Sequence, residues 1–177
     1  YIVDMQGQPL RNPEALGNAW WVDRVDYVAT PDEEMAALDV INPATTAVAD
    51  SRFRDILGTA KPVTPGDTIY ETTYAPNRVT YRASSAAGGV AVFSEVFFPW
   101  GWTATIDGKP AEIGRVNYVL RALNIPAGDH TVEMRFDPKS LHTTDTLATI
   151  AVILIYIAAI CAAVFAVTGC GKDTARA

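Results

Sequence analysis

Cysteine is missing from the first 160 residues; the two present, Cys161 and Cys170, lie in or just after a C-terminal apolar run. That excludes a disulfide framework and a cysteine-based zinc site from everything ahead of the run. Basic residues are few: 14 Lys and Arg stand against 20 Asp and Glu, for a net charge of −6. With no basic stripe to neutralise phosphates, nucleic acid is not an expected partner. Histidine occurs twice, at His130 and His142, with no ligand spacing around either, so neither a metal nor another cofactor is expected. Ser94 has no glycine-flanked elbow and makes no credible nucleophile. Tyr1 is preceded by no Met and followed by no signal-peptide pattern, and the chain is expected to be the C-terminal piece of a longer protein.

What is present is organised around Val90 to Phe136. Four runs rich in β-branched and aromatic residues are separated by turn signals at Pro99-Trp100-Gly101, Asp107-Gly108 and Pro126-Ala127-Gly128-Asp129. Asp-Gly between apolar segments is a strong hairpin signal, because both central residues of the tight turn need positive φ. This block is expected to be the antiparallel heart of a β-domain. Ahead of it, Tyr1 to Gly17 reads as a lead-in strand and a loop, and Trp21 to Val28 as one strand of imperfect alternation. Thr30-Pro31-Asp32-Glu33 carries a capping box with Pro at the first helical position, predicting a short helix that stops before Asn42-Pro43. Thr45 to Ala49 reads as a brief strand and Ser51 to Gly66 as a loop. Thr68 to Tyr74 and Arg78 to Ala83 read as two strands about Ala75-Pro76-Asn77. Closely spaced strands without intervening helices predict a mainly β protein, an antiparallel β-sandwich of jelly-roll-like type with one short helix.

Leu147 to Val167 gives 21 residues without a charge, polar only at Thr149, Tyr156 and Cys161. At a rise of about 1.5 Å per residue this spans about 30 Å, the thickness of bilayer hydrocarbon. The expected organisation is therefore a β-domain over 1–140, a juxtamembrane linker over 141–146, a transmembrane helix over 147–167 and a tail over 168–177. Ala158, Ala162 and Ala166 put small residues at four-residue spacing, which is either a face suited to close helix approach in lipid or simply the commonness of alanine in membrane segments. Lys172 and Arg176 favour a cytoplasmic tail and a β-domain outside.

Three groups of residues are candidates for contact chemistry. Glu95, set among Val92, Phe93, Val96 and Phe97, needs a partner such as Arg115 or Arg121 if buried; the plain alternative is a rim ion pair. Phe97, Phe98, Trp100 and Trp102 surround one turn, and core packing, a membrane-interface or interdomain contact and stacking on a sugar ring all remain open. In an unbroken strand Arg115, Asn117, Val119 and Arg121 would share one face, toward a substrate, a membrane domain or simply solvent.

Six segments, in order, carry a family resemblance. They are Leu16 to Val22, Tyr74 to Asn77, Phe93 to Trp102, Ile106 to Lys109, Arg115 to Tyr118 with Arg121-Ala122, and Ile125 to His130. Across roughly residues 16–140 the chain resembles the C-terminal region of bacterial YfhO-type membrane proteins, which are similar to polytopic GT-C glycosyltransferases. Trp100 departs from the pattern, standing where a Pro-Gly-Trp turn is more usual. The resemblance implies many membrane helices upstream in the same protein. It implies a bacterial cytoplasmic membrane, an extracytoplasmic β-domain, and partners among membrane lipid, those upstream helices and a polyprenyl-phosphate sugar or glycan. It also implies that the catalytic acid lies on an early loop outside this chain, so no catalytic residue is carried over. Glu95, Trp100, Trp102, Arg115, Asn117 and Arg121 are the expected substrate or interdomain contacts. The alternative is a β-sandwich binding or structural module held at the cell surface by one helix, although no Leu-Pro-x-Thr-Gly precedes the apolar run.

Overall fold

The computed structural model describes residues 2–3 and 5–173, and these fall into two units, Tyr1–Phe136 and Asp137–Ala177. The first unit is mainly β. A small hairpin of β1 (Ile2–Val3) and β2 (Pro9–Leu10) leads into β3 (Ala19–Val22) and β4 (Arg24–Val28). Helix α1 (Pro31–Leu38) precedes β5 (Thr46–Asp50), a 3-10 turn at Ser51–Phe53 and the single-turn helix α2 (Arg54–Leu57). Then come β6 (Thr68–Ala75), β7 (Arg78–Ser85), β8 (Gly89–Val96), β9 (Trp102–Ile106), β10 (Lys109–Ala111), β11 (Gly114–Val116), β12 (Leu120–Ile125) and β13 (Gly128–Phe136).

Two antiparallel sheets form the sandwich, one in the order β10-β9-β13-β7-β6 and the other β11-β12-β8-β3. On β7, Val79, Tyr81 and Ala83 alternate inward with the outward Arg78, Thr80 and Arg82, as the two-residue period of a strand requires. They meet Trp21, Ala91, Phe93, Leu123 and Ile125 of the opposite sheet in one buried cluster. The Asp107-Gly108 turn closes β9 onto β10 with φ of 51° and 76°, the two-residue hairpin its sequence predicts.

The four-stranded sheet is buried on both faces. Val90, Val92 and Val116 point away from the sandwich core and pack against Ala47, Ala49, Phe53 and Leu57 of β5, the 3-10 turn and α2. This third layer explains why β8 reads Val-Ala-Val-Phe rather than alternating: a strand covered on both sides needs apolar residues at every position. Gly114 makes room for it, since a Cβ there would lie 2.6 Å from a Leu57 methyl.

The Val90 to Phe136 block pairs antiparallel as expected, and its strands divide between the two sheets. Several expectations ahead of it are corrected. Trp21 to Val28 is not one strand. It breaks at Asp23, whose amide donates to Thr45 O, so β3 stays in the sandwich while β4 pairs in parallel with β5 in the covering layer. Ser51 to Gly66 is not all loop, because Phe53 and Leu57 bury their side chains on that layer's helical turns. The capping box of α1 forms as expected, with Thr30 Oγ1 accepting from Glu33 N and Glu33 Oε2 from Thr30 N.

The second unit is the helix α3 (Lys139–Asp173). Residues 141–146, expected as linker, are helical, and the units divide after Phe136 rather than at residue 140. Thr143–Phe165 is long and apolar enough to cross a membrane. The side chains of His142 and of residues 166–177, including Ala166 and Cys170, lie outside the described residues.

Candidate functional site

Strand pairing brings several turns to one end of the sandwich. β8 ends at Val96, opposite the start of β12 at Leu120, and β9 begins at Trp102, opposite the last residue of β13, Phe136. Phe97 N donates to Val119 O at 2.7 Å, tying the aromatic turn to the turn after β11. Phe136 N donates to Asn77 O at 2.9 Å, and Ser94 Oγ donates to Gly17 O at 2.7 Å. Leu16 to Val22, Tyr74 to Asn77, Phe93 to Trp102 and Arg115 to Tyr118 meet here; Ile106 to Lys109 and Ile125 to His130 lie at the opposite end.

Glu95 and Arg121 close the space between the sheets at this end. Arg121 is buried, and its guanidinium stacks 3.9 Å from the centre of the Trp102 ring. Its Nε donates to Val96 O at 2.9 Å, and Nη2 lies 3.9 Å from the partly buried Glu95 carboxylate. The charge is thus held more by ring stacking and one carbonyl than by a tight ion pair. Burial lowers the Arg121 pKa, and Glu95 partly offsets this. Beneath it Tyr81 packs edge-on against Phe93 at 4.8 Å, its buried hydroxyl unpartnered among the described residues. Burial, then the Glu95 charge, pushes the Tyr81 pKa up. Arg121 and Trp102 also line a cleft of about 360 Å³ with Phe97, Phe98, Glu112 and Ile113.

Arg115 and Asn117 do not lie on one unbroken strand with Arg121, because β11 ends at Val116 and β12 begins at Leu120. Arg115 pairs directly across from Arg121, and the chain turns at Asn117-Tyr118-Val119, with φ of 49° at Asn117 and 68° at Tyr118. Asn tolerates that region; a tyrosine there is strained and must be held. Glu34 of α1 holds it. Its fully buried carboxylate accepts from Tyr118 N at 2.8 Å and from Arg115 Nη2 at 2.6 Å, while Arg115 Nη1 donates to Tyr118 O. Asn117 is pinned from the other side: its backbone N donates to Val48 O, and its Oδ1 accepts from Val48 N. Both residues, expected as contacts, lock this turn to α1 and the covering layer. Glu34 was missed because it sits in the acidic first turn of α1, where it reads as a dipole-compensating surface residue. Its signal was the shared helix face with Leu38, four residues on.

Trp100 is 73 % exposed and touches Phe98 edge-on at 5.3 Å. Phe98 and Trp102 each pack on Phe136, at 6.3 and 5.4 Å. At the far end His130 Nδ1 bonds Asp107 Oδ2 at 2.6 Å, and Asp107 Oδ1 accepts from Thr131 N. Among the described residues no three His, Cys, Asp or Glu side chains gather as a metal site. No protein-family model, curated protein or solved structure matches the chain.

Proposed function

We propose that this chain is the C-terminal β-sandwich and last membrane helix of a YfhO-like polytopic protein of a bacterial cytoplasmic membrane. In this reading the sandwich stands on the extracytoplasmic side and the tail in the cytoplasm. The whole protein transfers sugars from polyprenyl-phosphate donors to cell-envelope acceptors, and this part supports that transfer without performing its chemistry. The observation that carries the reading is the convergence of four of the six family-like segments on the end of the sandwich where β13 stops at Phe136. That is also the end from which the chain leaves the sandwich for α3. Arg115, Asn117 and Glu34 fit the same role, since they set the shape of that end rather than expose reactive groups.

A second reading, an anchored binding module, is favoured by the cleft flanked by Arg121, Trp102 and Glu112. Protease treatment of intact spheroplasts tests the orientation: external cleavage within the β-domain is expected, and full protection overturns the extracytoplasmic placement. Deleting the gene is expected to remove a sugar substituent from an envelope polymer. An unchanged envelope glycan profile overturns the transfer role and leaves the binding module.

A further inference from the structure

Five of the exposed apolar side chains of the sandwich gather at the same end. Val96, Phe98, Trp100, Tyr118 and Val119 are all solvent-accessible there, although they come from two different turns. Val96, Trp100, Tyr118 and Val119 line one groove of about 580 Å³, with Arg52 and Arg115 on its wall. Large apolar groups gathered into one patch mark a surface that is covered in use, whereas scattered ones need no explanation. Aromatic rings with a polar edge beside aliphatic side chains and arginine are the composition that settles at a lipid–water boundary.

Chain length identifies what covers the patch. Phe136, in ring contact with Phe98 and Trp102, is the last residue of β13, and the apolar span begins at Thr143. Three extended steps to Lys139 and four helical steps to Thr143 reach about 17 Å at most. A headgroup layer is itself about 5–8 Å thick on each side of the hydrocarbon. Wherever Thr143–Phe165 crosses a bilayer, Phe136 is tethered within about 17 Å of the hydrocarbon edge, and the aromatic turn packed on it comes within reach of the headgroups. We infer that Val96, Phe98, Trp100, Tyr118 and Val119 form a face that seats in the lipid–water interface, with Trp100 as its deepest ring. The inference rests on the membrane-spanning role proposed for α3. Headgroup charge matters little to it, because Arg115 is paired with Glu34 and Arg52 lies 3.5 Å from Asp50.

The test uses the whole chain reconstituted into phosphatidylcholine vesicles, with and without phosphatidylglycerol, and lipids brominated near the headgroup as quenchers. Flotation of the chain with the vesicles after alkaline extraction is measured first; failure to float overturns the membrane-spanning role of α3 and the lipid seat with it. In chains that float, the wild type is expected to lose at least twice the fraction of tryptophan emission that Trp100→Phe loses, equally in both lipid mixtures. Val119→Ser, on the same exposed face, is expected to reduce the quenching. Equal fractional quenching in wild type and Trp100→Phe would show that Trp100 does not meet lipid, and would assign the patch to a protein or glycan partner. Quenching only with phosphatidylglycerol would also overturn the proposal, since it would make the contact electrostatic.

Discussion

Replacing Glu34 by Ala should be among the most damaging single changes in the sandwich. The carboxylate has no exposure and holds two donors, Arg115 Nη2 and Tyr118 N. Removing one member of a buried ion pair leaves the other charge without compensation and typically costs about 3–5 kcal/mol. Arg115 keeps its bond to Tyr118 O and its position over the Phe53 and Tyr118 rings, so the lower part of that range applies. Tyr118 adds to the loss, because its positive φ, a strain of about 1–3 kcal/mol, is no longer tied down. A total near 4 kcal/mol at about 3–4 °C per kcal/mol, for a domain of this size, lowers the midpoint by about 12–16 °C. The four tryptophans, Trp20, Trp21, Trp100 and Trp102, all lie in the sandwich, so their emission follows its unfolding while α3 stays silent. The pair is isolated by a cycle of Glu34→Leu, Arg115→Met and the double variant. The double variant should be less destabilised than the sum of the singles by about 1.5 kcal/mol or more. A drop of less than about 3 °C for Glu34→Ala, or singles that add to within about 0.5 kcal/mol, would refute the account of Glu34 as the support of this turn.

Three further outcomes are expected. The Asp107 bond raises the His130 pKa above its ordinary 6.5, so His130 contributes stability below that pH and loses it as pH rises through the raised value. The Thr131 amide, then His130, lowers the Asp107 pKa below 3.8, so Asp107 contributes above 3.8 and loses it as pH falls through the lowered value. The midpoint difference between wild type and His130→Ala should therefore be larger between 3.8 and 6.5 than at alkaline pH, and a difference independent of pH would contradict the pairing. Gly114→Ala drives a Cβ to 2.6 Å from Leu57 and should cost about 1–3 kcal/mol in a denaturant titration, with relief by Leu57→Val in the same background. Tyr81→Phe removes a buried hydroxyl whose desolvation goes uncompensated, and should leave stability unchanged or raise it by up to about 1 kcal/mol; a loss above about 1 kcal/mol would mean that the hydroxyl has a partner.

Much of the fold was legible because its signals are local. The capping box of α1, the Asp107-Gly108 hairpin and the alternation of β7 each depend on residues a few positions apart. What failed depends on contacts distant in sequence. The break at Asp23 follows from a hydrogen bond to Thr45, and the parallel pairing of β4 with β5 follows from the need to cover the outer face of β8. The continuous apolar run of β8 announced two covered faces, but not which segment would cover the second. The candidate site divides the same way. Glu95 and Arg121 meet, as the need for a partner suggested, and Trp102 stacks on that arginine. Arg115 and Asn117 carry chemistry-bearing side chains spent on holding a turn, and their partners, Glu34 and Val48, lie 81 and 69 residues away.

The double coverage of β8 also sets how the domain breathes. Its amides lie between β12 and β3, and both its faces are packed, so opening them means separating three layers at once. Amides of this kind exchange with solvent only through unfolding of the whole domain, whereas those of an outer strand such as β6 open locally. Since the aromatic turn continues directly from the last residue of β8, its first residues are fixed to the slowest-exchanging segment of the domain. Hydrogen exchange should therefore grade steeply from Phe93 to Gly101, placing a mobile tip on an immobile stem.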